Sequence, residues 1–477
     1  MKKYTLKEIE QVFNIPLDLV RYLIKKDIIE PLVENNVLFI SEEEIKRFLS
    51  LPAETIGSYK DSYFKTLGPG IITGASDDDP SGIGTYSTVG SRYGLSLTWL
   101  ALYLLPMMTA VQETCARIGI VTNKGLAQII IKRYGTKIFV PLAILLIIAN
   151  TINIGADIGA MAASMQLLLP SFSFSILAII FTFIILFLEI NFSYHKYSTV
   201  LKWLSISLFA YIITGFIAKP DWGEVFHNIF VPHFSYTIDY LAAVVAVMGT
   251  TISPYLFFWQ TSEEIEDERD KKVLSDHHIL VTKSEIQEMR KDVITGMSFA
   301  NLAFLFIVIT TASVLFKSGV NNIETASQAA LALRPLAGDN ASYLFTLGIV
   351  GTGLLAIPVL AGSSAYAISE LFKWKEGLYR KYSNAKGFYG IIIVSMLVGL
   401  SMNFLGINPI KALYFAAIVN GITAPIILYF VFNIGKDKSI MGGFTSPKWV
   451  NFFGVITVFL MGLSAAGLLI LSLKNIF

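Results

Sequence analysis

Long runs of apolar residues recur along most of the chain, beginning near residue 64. We count eleven of them, and each approaches the roughly 20 residues with which a helix crosses the hydrocarbon core of a bilayer. They are numbered here spans 1 to 11, with predicted limits 66–89, 94–120, 138–164, 172–191, 199–218, 238–261, 292–316, 341–371, 388–407, 410–433 and 448–473. This pattern predicts an all-α polytopic membrane protein.

The charges between the spans predict the orientation of the chain. With the N-terminus in the cytosol, the cytosolic loops and span ends carry twenty Lys and Arg residues and the external ones carry six. Cytosolic loops of membrane proteins hold an excess of these residues. We therefore expect a cytosolic N-terminus and a multi-pass protein of the inner (plasma) membrane, embedded in the lipid bilayer. No cleavable signal peptide is expected, because the first 50 residues lack an apolar core segment.

The composition agrees with this class. Only 15% of the residues are charged, against about 25% in an ordinary soluble domain. Cys115 is the only cysteine, which excludes an intramolecular disulfide and a cysteine cluster for metal. The sequence contains no phosphate-binding glycine loop with lysine, no nucleophile elbow and no metalloprotease motif. We predict that the chain is not an enzyme and needs no cofactor.

The N-terminal segment has a different pattern. A helix is predicted to begin at Thr5, and a second one to cover residues 17–26. A strand at 37–40 precedes a third helix, which begins after Ser41 and ends near Leu51. This order resembles the winged helix-turn-helix domain of the MerR family, and the resemblance implies DNA binding.

The charge of this segment argues against DNA binding. Residues 1–60 hold nine Lys and Arg against ten Asp and Glu, so they lack the basic surface that phosphate requires. We favour a cytosolic folding or regulatory domain at 1–55, followed by a membrane domain at 56–477, and we expect no nucleic-acid partner.

Span 1 carries the strongest chemical signal, because Asp77, Asp78 and Asp79 lie side by side at membrane depth. An aspartate at the centre of a membrane helix costs about 2.5–3.5 kcal/mol even on the most lenient scale. Pro80 removes a backbone donor, so the helix is expected to break and expose carbonyl oxygens beside the carboxylates. Such an arrangement suits a cation. The alternative is a structural ion pair, for which Arg117 is the best candidate.

Span 6 contains a second predicted break, at Ser253-Pro254, five spans after the first. Paired breaks at this spacing favour a LeuT-like 5+5 inverted repeat, in which broken helices 1 and 6 hold the substrate at the bilayer midplane. An ordinary proline kink in span 6 is the alternative.

Five motifs together resemble the Nramp family of divalent-metal transporters. The first-helix signature of that family, Gly-Pro-Gly followed by Asp-Pro-Gly-Asn, is matched by residues 68–70 and 79–82. Residues 112–122 and 156–157 resemble its second and third helices, and 250–255 stand where its sixth helix reads Ala-x-x-Met-Pro-His. The resemblance covers most of the membrane domain and implies transport of divalent cations.

The resemblance also implies the metal contacts and shows where this chain departs from them. It places contacts on Asp79, around Gly82, on the Thr250 carbonyl and on Ser253. The family's asparagine is Gly82 here, its methionine is Ser253, and its sixth-helix histidine is Tyr255. The thioether that favours transition metals is therefore absent, and oxygen ligands remain.

These departures favour a hard cation. Gly82 and Ser253 free volume, in which a small and reluctantly dehydrated ion such as Mg²⁺ can keep part of its water shell. Asp78 is predicted to add a second carboxylate. The pattern resembles the Nramp-related magnesium transporter branch, and we expect Mg²⁺ and Mn²⁺ as substrates.

Other polar residues at membrane depth are candidates for the transport pathway, or for hydrogen bonds between helices. In the family, the position of Asp157 lies on a proton route, but the acid expected three residues later is Ala160 here, which speaks against proton coupling. The loop start at 262–264 is predicted to be a solvated edge. The pathway candidates are Asp77, Glu113, Asn150, Asp157, Tyr255 and Asn420.

Three other functions remain open from the sequence. The first is a proton symporter of transition metals, of the ordinary Nramp type. The second is an amino-acid transporter on the same scaffold, although three aspartates would repel a substrate carboxylate. The third is a membrane-tethered ligand sensor whose N-terminal domain binds DNA.

Overall fold

Each of the eleven predicted spans corresponds to a helix or to a pair of half-helices. The computed structural model describes residues 2–13, 15, 20, 23–24, 29–34, 37–49, 67–192, 194–270, 281, 283–406 and 409–474. In the order of the spans, the helices are Pro69–Asp77 with Pro80–Tyr93, Leu100–Thr122, Thr136–Leu168, Phe174–Asn191, Tyr194–Leu204 with Phe209–Ile217, Ile238–Thr251 with Pro254–Asp270, Lys283–Thr311, Asp339–Phe372, Lys386–Met402, Pro409–Lys436 and Lys448–Lys474.

Most of these helices can cross a bilayer on length and hydropathy alone. Among the described residues, eight segments are long and apolar enough, and Lys386–Met402 is a shorter apolar helix. Spans 1 and 2 are not long and apolar enough by these measures, and the structure shows why. Span 1 is interrupted at its aspartates, and span 2 carries a buried Glu113 and Arg117. The predicted all-α polytopic class is confirmed.

Short elements connect the spans. Span 5 continues through a 3₁₀ turn at Ser205–Leu208, and span 7 ends in a π-helical turn at Ala312–Phe316. The remaining connecting helices are Leu126–Tyr134, Trp222–Phe230, Ala326–Ala337 and Lys438–Met441, with a 3₁₀ turn at Tyr382–Asn384.

Both predicted breaks are present. In span 1, half-helix 1a (Pro69–Asp77) is followed by its C-cap residue Asp78, and Asp79 adopts an extended backbone before half-helix 1b (Pro80–Tyr93). In span 6, half-helix 6a (Ile238–Thr251) and half-helix 6b (Pro254–Asp270) are separated at 252–253. A proline begins each second half, where its missing N–H has no helical partner to lose.

Half-helix 1a is fixed against span 7 by direct backbone contact. A Cβ atom on Gly74 would lie 2.2 Å from the carbonyl oxygen of Gly296, so that only glycine permits this approach. At the start of 1a, the Asp292 carboxylate accepts hydrogen bonds from the backbone N–H groups of Gly70 (2.7 Å) and Ile71 (3.2 Å). A carboxylate at a helix N-terminus is favoured by the helix dipole. Span 7 therefore positions the half-helix that ends at the aspartates.

The N-terminal segment contains a small antiparallel sheet. Its strands are Lys3–Thr5, Leu32–Glu34 and Val37–Ser41, with the third strand in the middle. The register pairs Lys3 with Ser41 and Leu32 with Phe39. Ile9, Ile40 and Phe48 are among the residues of its own apolar core.

The predicted helix starts of this segment are found. Helix Leu6–Phe13 begins with a reciprocal cap, in which the Thr5 N–H donates to Glu8 (2.8 Å) and the Glu8 N–H donates to Thr5 (3.3 Å). Helix Glu42–Leu49 is capped by the Ser41 hydroxyl. The helix predicted at 17–26 lies largely outside the described residues, so the winged-helix identity and the boundary after residue 55 stay predictions.

The orientation can be tested with single cysteines. In a Cys115→Ala background, Ser383→Cys between spans 8 and 9 and Ser318→Cys between spans 7 and 8 both place a thiol at an exposed position. Because the excess of basic residues predicts that 383 faces the cytosol, a membrane-impermeant maleimide on intact cells should label position 318 and spare 383. Permeabilised cells should show labelling at both positions. Labelling of 383 alone on intact cells would reverse the predicted orientation.

Candidate metal site between the broken helices

Asp79 is held at the start of half-helix 1b. Its Oδ1 atom accepts hydrogen bonds from the Gly82 backbone N–H (2.6 Å) and from the Ser81 hydroxyl (2.7 Å). The residue is 3% exposed. The helix N-terminus supplies these donors because its first N–H groups have no helical acceptor. The carboxylate is therefore oriented by its own helix rather than by a basic side chain.

Gly82 is the point at which the two broken spans meet. A Cβ atom at this position would lie 3.2 Å from the Thr250 hydroxyl oxygen of 6a. It would also lie 3.3 Å from Asp79 Oδ1 and 3.4 Å from the Asp77 carbonyl oxygen. Oxygen atoms from both breaks therefore lie within 3.4 Å of the place that a Cβ atom at position 82 would occupy.

The break in span 6 presents further oxygens. The Ser253 hydroxyl donates to the carbonyl oxygens of Thr250 (3.0 Å) and Gly249 (3.2 Å), and its own lone pairs stay available. Tyr255, in the first turn of 6b, donates its hydroxyl to the Ser76 carbonyl at the end of 1a (2.9 Å). This bond ties the two breaks together. The five predicted contacts Asp78, Asp79, Gly82, Thr250 and Ser253 all lie at these breaks.

Asp77 and Asp78 are buried without visible partners. Each is 1% exposed, and none of their four carboxyl oxygens has a hydrogen-bond partner. The ion pairs found among the described residues include neither of them. Tyr86 lies near both aspartates, and its hydroxyl shares a hydrogen bond with Thr251 of 6a (3.2 Å). Buried carboxyl groups without partners are costly, which a bound cation would relieve.

The alternative pairing with Arg117 is not observed. Arg117 forms an ion pair with Glu113 and donates to the Phe444 carbonyl (3.3 Å). Arg290 also binds the Glu113 carboxylate, at 3.1 Å. Glu113 is therefore part of a buried ion-pair cluster of spans 2 and 7, and the structure does not bring it to the aspartates of span 1.

Asp157 of span 3 joins the site. It is fully buried, and its carboxyl group lies against the backbone of Ser81 at the start of half-helix 1b. It lies within electrostatic range of Asp79 and of the Tyr255 hydroxyl. A third span thus contributes a carboxyl group near the two breaks.

Asn150 of span 3 is engaged by span 8. The Asn150 amide donates to the Leu360 carbonyl (3.2 Å) and to the hydroxyls of Ser363 (3.0 Å) and Ser364 (2.9 Å) on span 8. Asn150 therefore forms hydrogen bonds between helices, which was the predicted alternative to a role in the transport pathway. Asn420 is buried within span 10.

The prediction of a solvated edge at 262–264 is wrong. Ser262, Glu263 and Glu264 are 3%, 1% and 3% exposed. Half-helix 6b packs closely on span 2 at this level. The contact is so close that a Cβ atom on Gly119 would lie 2.3 Å from the Thr261 carbonyl oxygen. The run of charges in the sequence suggested solvent, but the neighbouring helix covers it.

The chemistry of the site is that of hard oxygen ligands. Among the described residues, no three His, Cys, Asp or Glu side chains are grouped to hold a metal ion. A cation here must combine carboxylate with carbonyl and hydroxyl oxygens, which suits Mg²⁺ or Mn²⁺. Sequence reasoning did not single out Ser76 or Tyr86, because nothing in their local pattern shows that the fold brings them to the breaks.

Comparison with known proteins agrees with this architecture. The profile of the Natural resistance-associated macrophage protein-like (Nramp) family matches residues 70–471. A divalent metal cation transporter MntH of Caldanaerobacter subterraneus is 23% identical over 430 residues, which are 87% of this chain and 94% of the relative. The MntH of Bacillus subtilis is 26% identical over 398 residues, or 81% and 87% of the two chains.

Solved structures share the fold. A manganese transporter of Eremococcus coleocola, in complex with an aromatic bis-isothiourea substituted compound, superposes with a TM-score of 0.67 at 17% identity, covering 84% of this chain and 85% of that one. Mhp1, a nucleobase-cation-symport-1 family transporter, gives a TM-score of 0.50 at 13% identity, covering 84% and 92%. The predicted LeuT-like fold class is confirmed by this similarity.

Proposed function

The chain belongs to the Nramp family, and on that basis we propose that it transports divalent metal cations across the cell membrane. We infer that the cation binds between the breaks of spans 1 and 6, with Asp79, the Thr250 carbonyl and Ser253 as ligands around Gly82. Asp78 adds negative charge to the same region. The relatives are divalent metal cation transporters by name, which supports the class of substrate.

The observation that carries this proposal is the set of buried aspartates at the break of span 1. The carboxyl oxygens of Asp77 and Asp78 have no hydrogen-bond partner among the described residues, and Arg117 is engaged elsewhere. A membrane protein keeps intramembrane carboxylates for ion or substrate pathways. The Thr250 hydroxyl of half-helix 6a lies against the same position at Gly82 as Asp79 Oδ1, and carboxylate and hydroxyl oxygens together favour a cation over an anion or an amino acid.

Mg²⁺ together with Mn²⁺ is the proposed substrate pair. Ser253 supplies an oxygen where the family has a sulfur, and Gly82 leaves open the volume of an amide side chain. Oxygen ligands and retained water suit both ions.

A second candidate is a manganese-selective proton symporter of the ordinary Nramp type. The Eremococcus coleocola structure that shares this fold is a manganese transporter, which favours Mn²⁺. Asp157 lies beside Asp79 and is available to accept a proton, whereas Ala160 removes the next acid that the family resemblance led us to expect.

An uptake experiment tests the proposal and separates the two candidates. The purified full chain in proteoliposomes, loaded with fluorescent indicators, should take up both Mg²⁺ and Mn²⁺ without acidifying the lumen. Empty liposomes are the control. Uptake of Mn²⁺ alone with proton entry would establish the ordinary symporter, and the absence of any divalent uptake would refute the proposed function.

The N-terminal domain is proposed to face the cytosol and to act without DNA. A gel-shift experiment with the full chain and random duplex DNA should show no retained band. A specific, salt-resistant shift would instead support the membrane-tethered sensor.

A further inference from the structure

The inner side of the candidate metal site, which is predicted to face the cytosol, is closed in this structure. Half-helix 1a is buried throughout residues 72–77, and half-helix 6b is buried throughout residues 254–264. Half-helix 1b differs, because Ser81, Thr85 and Thr88 are partly exposed and share one helix face. These polar positions indicate that the site opens along 1b, towards the predicted outer side, while 1a and 6b shut the inner side.

Half-helix 6b contacts its neighbours in two different ways. On span 2, the Thr261 hydroxyl donates to the Cys115 carbonyl (3.1 Å), and the backbones approach closely at Gly119. On span 8, side chains make the contact, since Gly362 leaves room for the Trp259 ring. Groups of helices move against each other where side chains meet, because such contacts can separate without breaking either helix. The interface between 6b and span 8 is therefore the more suitable place for the inner side to open.

Glu266 fastens the interface between 6b and span 8. Its carboxylate accepts hydrogen bonds from the Tyr366 hydroxyl of span 8 (2.9 Å) and from the backbone N–H groups of Leu378 (2.9 Å) and Tyr379 (3.1 Å). Glu266 is 2% exposed. The two successive N–H groups belong to the connection between spans 8 and 9, and together they make a concave binding place for an anion. One side chain of 6b is thus bound by span 8 and by the connection that follows it.

The turn that receives this carboxylate is shaped by Gly377. Its φ of +114° lies in the region that favours glycine. A Cβ atom there would lie 2.6 Å from Glu266 Oε1 and 2.4 Å from the Tyr379 ring, so only glycine allows the carboxylate to come this close. Arg269 of 6b adds a second contact, with its guanidinium group 4.8 Å from the centre of the Tyr379 ring. The backbone conformation and the packing of the turn both fit this carboxylate.

We propose that Glu266 and the turn at 377–379 form a latch, which keeps the inner side closed while the cation enters from outside. The latch rests on the proposed transport function, because a transporter has to open its two sides in turn. When the latch is released, 6b separates from span 8 and the inner side opens. Glu266 lies roughly three helical turns along 6b from the break, so the latch acts without touching the transported cation.

A weaker latch changes the population of states and leaves the ligands of the cation as they are. If the inner side opens more often in the absence of cation, a smaller fraction of molecules faces outwards, and the apparent affinity for external cation falls with that fraction. Loss of stability has a different effect, because it lowers the maximum rate and leaves KM unchanged. The KM therefore separates a latch from a carboxylate that only supports the fold.

Glu266→Gln should raise the KM for external Mn²⁺ about fivefold or more, which is the lower end of typical coupling between two sites. The glutamine amide has the same shape, but its NH₂ group cannot accept a hydrogen bond from a backbone N–H. Initial rates of Mn²⁺ uptake by intact cells that express the chain measure KM, with empty-vector cells as background. The maximum rate per molecule should stay close to that of the unmodified chain. Glu324→Gln changes an exposed carboxylate and should leave KM unchanged.

Gly377→Ala tests the latch from its other side without changing an acid. The added Cβ atom meets Glu266 Oε1 and should also raise KM. Gly135→Ala is the matched control, because Gly135 has a positive φ as well (+91°) but a Cβ atom there would meet nothing within 4 Å. Tyr366→Phe removes one of the three donors and keeps the ring. It should raise KM less, and it serves if the other two variants do not fold.

The rate of alkylation at position 262 provides a second, independent measurement. Ser262 is buried and lines the same cavity as Glu266, with a volume of about 280 Å³. In a Cys115→Ala background, N-ethylmaleimide should alkylate Ser262→Cys about fivefold faster or more when Glu266→Gln or Gly377→Ala is also present. The measurement uses protein purified in detergent, so that it does not depend on orientation in the membrane.

The latch is refuted if neither KM nor the alkylation rate changes in these variants. It is also refuted if alkylation becomes faster at an unchanged KM, because the contact then opens without affecting transport, or if KM rises at an unchanged alkylation rate. Failure of the proposed function gives a different result, namely no saturable Mn²⁺ uptake by the unmodified chain. The alkylation rates alone then show whether Glu266 keeps the inner side closed.

Discussion

Replacing Asp79 by alanine should abolish the uptake of Mg²⁺ and Mn²⁺ into proteoliposomes. Asp79 is the predicted carboxylate ligand, and it is oriented by the Gly82 N–H and the Ser81 hydroxyl. Loss of a group that merely supports a metal ligand lowers affinity 10–100-fold, so loss of the ligand itself should lower it by at least about 100-fold. Initial rates of Mn²⁺ uptake at a fixed concentration measure this effect.

Two matched variants show whether the effect is specific. Asp239→Ala removes an exposed aspartate in the first turn of half-helix 6a and should leave uptake unchanged. Asp78→Ala should reduce uptake less than Asp79→Ala, because the Asp78 carboxyl has no contact that orients it towards Gly82. The variants should elute from size exclusion as the parent does. Normal Mn²⁺ uptake by a folded Asp79→Ala protein would place the transport site elsewhere.

The fold could be predicted because the bilayer imposes it. Apolar runs of sufficient length and two proline breaks five spans apart leave few alternatives, and both breaks are found at the expected residues. The short strands Lys3–Thr5 and Leu32–Glu34 were not predicted. Three residues are too few to show an alternating pattern, and their pairing depends on Val37–Ser41, which is distant in sequence from the first strand.

The site could be predicted only in part. Three adjacent aspartates at membrane depth indicate a site from the sequence, because the competing explanation, a structural ion pair, had Arg117 as its best partner and could not account for three carboxyl groups. One partner of Glu113, Arg117, lies one helical turn away, but its second partner, Arg290, lies 177 residues away and could not be predicted. The burial of Glu263 was missed for the same reason: the helix that covers it is known only from the tertiary structure. Local sequence patterns identify residues of a suitable chemical type, and contacts between distant parts of the chain determine which of these residues lie together.

The largest change in selectivity is expected from restoring the two family ligands that this chain lacks. A site with asparagine and methionine offers sulfur and displaces water, and such a site favours transition metals over Mg²⁺. The present site offers carboxylate, carbonyl and hydroxyl oxygens. The expected order for the unmodified chain is therefore Mg²⁺ and Mn²⁺ carried, Ca²⁺ carried poorly if at all, and Zn²⁺ or Cd²⁺ without advantage.

The structure shows what the two substitutions would do locally. Gly82→Asn places a Cβ atom 3.2 Å from the Thr250 hydroxyl and 3.3 Å from Asp79 Oδ1, so the Thr250 side chain must shift and the open volume is filled. Ser253→Met removes the hydroxyl that donates to the Thr250 carbonyl and replaces it with a thioether. Water is displaced by the first change, and a soft ligand is added by the second.

Gly82→Asn with Ser253→Met should therefore lower Mg²⁺ uptake by about tenfold or more relative to Mn²⁺ and should allow Cd²⁺ to compete, because sulfur binds Cd²⁺ and leaves Mg²⁺ without a hydration site. Competition of unlabelled Mg²⁺ and Cd²⁺ against Mn²⁺ uptake measures the change. Ser253→Ala is the matched control, since it removes the hydroxyl without adding sulfur and should not admit Cd²⁺. If the unmodified chain excluded Mg²⁺ and already carried Cd²⁺, hydration at the site would not be the basis of selectivity, and the protein would act as an ordinary Nramp transporter with unusual ligands.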